Sequence, residues 1–83
     1  MNNLSGRDKI YNILTVVIVE HLNVFASLDW MLECSLDELR GGAEANLLVT
    51  KAIERFTHDK ASYDGYRDDI LLMIPDIIEK VNK

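Results

Sequence analysis

The segment Ile10–Leu32, IYNILTVVIVEHLNVFASLDWML, is the longest and most apolar stretch of the chain, and whether it is helix or strand decides the fold. On a helical wheel of about 100° per residue, Ile10, Ile13, Leu14, Val17, His21, Val24, Leu28, Met31 and Leu32 share one face. Tyr11, Ile18, Leu22 and Phe25 widen that face to about half the circumference. Asn12, Thr15, Glu20, Asn23, Ser27 and Glu33 lie opposite. The unbroken run Thr15–Val19 favours a strand through its β-branched side chains. A strand needs a partner for its backbone groups, however, and no other segment offers a comparable run between turn residues. The spacing therefore predicts a helix through to about Glu33, bending near Asn23–Ser27, with every later segment packed on it. Ser5 or Asp8 can cap its start.

Beyond it, Ser35-Leu36-Asp37-Glu38 reads as a capping box that opens a short helix ending at Gly41-Gly42, where a left-handed residue would be tolerated. From Ala43 to His58, Ala45, Leu48, Val49, Ala52, Ile53 and Phe56 form one stripe opposite Thr50, Lys51, Glu54 and Thr57. His58–Ser62 is a polar connection. A last helix begins near Tyr63 with Ser62 or Asp64 as cap. Its apolar face runs through Tyr63, Tyr66, Ile70, Met73, Ile74, Ile77, Ile78 and Val81. Pro75 removes a backbone donor inside this run, but the face stays in phase beyond it, which predicts a kink and not an end. Residues 1–83 thus read as one all-α domain, a small helical bundle of three main helices plus one short helix.

The 83 residues are 48% hydrophobic, enough for an ordinary core but near the lower limit for one that stands alone. A formal net charge of −5 argues against direct contact with nucleic acid or an anionic membrane surface, both of which are gripped by clustered Lys and Arg. It permits a basic protein partner. Glu20, His21 and Asn23 interrupt the central apolar run short of a membrane span. A single cysteine allows no internal disulfide, and a reducing cytoplasm is the simplest setting.

Residues with chemical potential are sparse. His21 has no second ligand at helical spacing, so a histidine hydrogen-bonded to a neighbour is the plain reading. Cys34 has no base that the sequence places beside it, which leaves a small buried side chain. Asp64 and Asp68 share a helical face and could serve a metal-dependent enzyme. Such all-helical sites need acidic pairs on two facing helices, and Ala43–His58 offers only Glu44 and Glu54, about three turns apart. Acids in a first helical turn also suit the helix dipole. Gly41-Gly42 lacks the Lys and Ser/Thr of a phosphate loop. No cofactor, metal or catalytic constellation is assembled, and the chain does not read as an enzyme.

Two surfaces stand out instead. Asp64, Asp68, Asp69, Asp76 and Glu79 surround Leu72 on the side of the last helix away from its apolar stripe. Charges around one apolar anchor suit a stoichiometric protein-binding module, an inhibitor or adaptor of a basic partner. Val16, Val19 and Trp30 fall on the polar side of the central helix, which suits a structural homo-oligomer.

Overall fold

The computed structural model describes residues 6–22, 28–56 and 65–81. Five helical elements follow one another. They are α1 (Gly6–Leu22), a 3-10 helix (Asp29–Glu33), α2 (Leu36–Gly41), α3 (Ala43–Phe56) and α4 (Arg67–Val81). Among the described residues there is no strand, and the three long helices plus the short α2 form the expected bundle.

The β-branched run of α1 is helical, and Ile10, Leu14, Val17 and Ile18 turn inward from it. The predicted single helix to Glu33 is not what forms, because Asp29–Glu33 is a separate 3-10 helix. It starts after Leu28, whose φ of −108° and ψ of 5° are not helical. Met31 is the buried anchor of that short turn, whereas Leu32, expected inside, is exposed. The proposed cap Ser5 and the proposed bend at 23–27 lie outside the described residues, and Asp8 sits inside the first turn.

The capping box at α2 forms as read. The Ser35 amide donates to Glu38 Oε1 at 3.0 Å, and the Glu38 amide donates to Ser35 Oγ at 3.3 Å. Accepting the Ser35 bonds holds the Glu38 carboxyl below its usual range. The reason for Gly41-Gly42 differs from the expectation, since no described residue has a positive φ. Gly42, at φ −84° and ψ 123°, is the single residue between α2 and α3. Its amide donates to the Leu39 carbonyl at 3.1 Å, and its own carbonyl accepts from the Asn46 amide at 3.1 Å. A Cβ on Gly42 would lie 2.6 Å from Cη2 of Trp30, so close approach of the indole is what requires glycine there.

On α3 the predicted stripe is inward: Ala45, Leu48, Val49, Ala52 and Ile53 are buried and Phe56 is partly so. The polar connection at 57–64, with Tyr63 and the candidate caps, lies outside the described residues. Tyr66 is exposed, contrary to its assignment to the apolar face. The last helix continues through Pro75 to Val81, and Ile77 and Ile78 beyond the proline are buried.

The core is organised around α4 and not α1. Among the described elements α4 packs against α1, the 3-10 helix, α2 and α3, whereas the main neighbours of α1 are α3 and α4. Six side chains of α4 are buried, including Leu71, which lies outside the simple stripe. A helix with neighbours on several sides must bury a wider arc than one seam provides. The radius of gyration, 12.2 Å, is that of a compactly folded chain of this length.

Candidate partner-binding surfaces

On α4 the buried face is centred near Ile74, and Leu72 points almost directly away from it. Leu72 is 53% exposed, the largest fraction among the exposed large hydrophobic side chains described. Asp76 and Glu79 are exposed beside it, one and two turns on, and Asp69 is half-buried one turn before. Asp64 lies outside the described residues.

Asp68 was expected on the open acidic field, but it is committed within the chain. Arg40 of α2 donates from Nε to Oδ1 at 3.1 Å and from Nη2 to Oδ2 at 2.6 Å. The same guanidinium donates from Nη1 to Asp37 Oδ1 at 2.7 Å. Hydrogen bonding by Arg40, and then its charge, hold the Asp68 carboxyl below its ordinary range. Both oxygens of Asp68 clamp α4 to α2, across 28 residues of sequence that carry no local signal for the contact.

A second polar tie was also invisible to periodicity. Asn46, in the first turn of α3, donates from Nδ2 to the carbonyls of Arg40 at 2.7 Å and Gly42 at 2.8 Å, with Leu39 at 3.5 Å. Its Oδ1 accepts from Arg67 Nη2 at 2.8 Å. One amide therefore satisfies the carbonyl end of α2 and reaches the start of α4, which positions the acidic face.

The second surface is on α1. Val16 and Val19 are exposed there, as their wheel positions predict. Trp30 is exposed too, but it belongs to the 3-10 helix and lies against Gly42, so the three do not form one row on one helix. Glu20 pairs with Arg55 of α3 at 2.5 Å, and that bond lowers the Glu20 carboxyl. Lys80 of α4 donates to Tyr11 Oη at 2.8 Å, which raises the Lys80 ammonium.

The remaining candidates are quiet. His21 is half-buried, and its Nδ1 lies 2.8 Å from the Val17 carbonyl oxygen, which can only accept, so this nitrogen donates. Cys34 is half-buried and not fully so. Its Sγ donates to the Trp30 carbonyl at 2.9 Å, and desolvation followed by the Glu38 charge pushes the thiol up, away from nucleophilic character. Among the described residues no group of three or more His, Cys, Asp or Glu side chains is placed to hold a metal ion. None of the described helices is long and apolar enough to cross a membrane. The chain matches no protein-family model, no curated protein and no solved structure.

Proposed function

We infer that this chain is a small acidic protein-binding module, acting stoichiometrically as an inhibitor or adaptor, and that the outer face of α4 is its contact surface. The observation that carries the reading is Leu72, an apolar side chain turned straight out from the core among Asp69, Asp76 and Glu79. A leucine there adds nothing to the core, while an apolar anchor inside a field of one sign steers and seats a partner of the opposite sign. Asp68 supports the surface indirectly, by holding α4 on α2 through Arg40. The net charge of −5 supports a basic protein over nucleic acid or an anionic membrane. A reducing, cytoplasmic setting accords with the sole cysteine.

The test is affinity capture from the native host with the wild-type chain and Leu72→Ala in parallel, followed by kinetics on any partner retained. Leu72→Ala should mainly speed dissociation. Asp76→Asn with Glu79→Gln should slow association and flatten its salt dependence. A partner held equally by all variants, with helical content intact, places the contact elsewhere and overturns the reading.

A further inference from the structure

We draw no further inference here: the strongest candidate, the surface patch on the 3-10 helix where Trp30, seated on Gly42, and Leu32 both stand exposed, carries nothing because nothing in the structure shows what covers it.

Discussion

The indole of Trp30 sits over the α-carbon of Gly42 so closely that an added Cβ would lie 2.6 Å from its Cη2. The neighbouring Gly41 has nothing within 4 Å of the same imagined atom. Adjacent glycines thus serve different purposes. Gly41 closes α2 in open space, and Gly42 admits an aromatic ring to the one-residue junction of α2 and α3.

Gly42→Ala should therefore displace the indole, and Gly41→Ala should not. Because Trp30 is the sole tryptophan, intrinsic fluorescence reads this directly. The expected outcome is a shifted emission maximum and a lower melting temperature for Gly42→Ala. Gly41→Ala should leave emission unchanged and stabilise by about 0.4–1 kcal/mol through a less flexible unfolded chain. Identical spectra for the two variants would place the ring elsewhere.

Asn46→Ala removes the amide that serves the Arg40 and Gly42 carbonyls and the Arg67 guanidinium. Loss of about 0.5–1.5 kcal/mol is expected, the net worth of the lost bonds, because the Arg40 carbonyl is exposed and the Gly42 carbonyl keeps the Asn46 backbone amide. Urea unfolding measures it. An effect below about 0.5 kcal/mol, the level of an ordinary surface change, would mean that water replaces the amide without cost.

Leu71 and Leu72 are consecutive, yet one is fully buried and the other is 53% exposed. Leu71→Ala should cost about 2–5 kcal/mol, as a truncation in a packed core does. Leu72→Ala should stay within about 0.5 kcal/mol. Comparable losses in chemical denaturation would contradict the orientation of α4, and with it the outward aim of the proposed contact surface.

Acid should loosen the fold through its paired carboxylates. Asp68 and Glu20 are held below their ordinary range by hydrogen bonds from Arg40 and Arg55, and Glu38 by its bonds to Ser35. Each is depressed in the folded state. Its contribution is therefore present above the unfolded carboxyl value near about 4 and lost as pH falls through the lower folded value. Melting temperature should be flat through neutral pH and fall below about pH 4. Arg40→Gln should lower the plateau and soften that fall, and added salt should shrink the difference between the two proteins, since these pairs are exposed. A fall of the same size with and without Arg40 would remove Asp68 from the acid response.

The chain by itself determined whatever depends on neighbours within a turn or two. A periodic apolar pattern placed α1, α3 and α4, and Ser35 with Glu38 opened α2, because both signals act across three or four residues. The outward positions of Val16, Val19 and Leu72 were legible for the same reason. Tertiary structure alone decided which helix is central, since the apolar width of α1 could not reveal that α4 would pack against each of the other described elements. It also decided the burial of Leu71 on the shoulder of its stripe, and the capture of Asp68 by Arg40 from 28 residues away. It fixed the reach of Asn46 to three carbonyls and the lodging of Trp30 against Gly42. A helical wheel gives the direction in which a side chain leaves its own helix; what that side chain meets depends on the elements packed around it, and those are set only when the chain closes on itself.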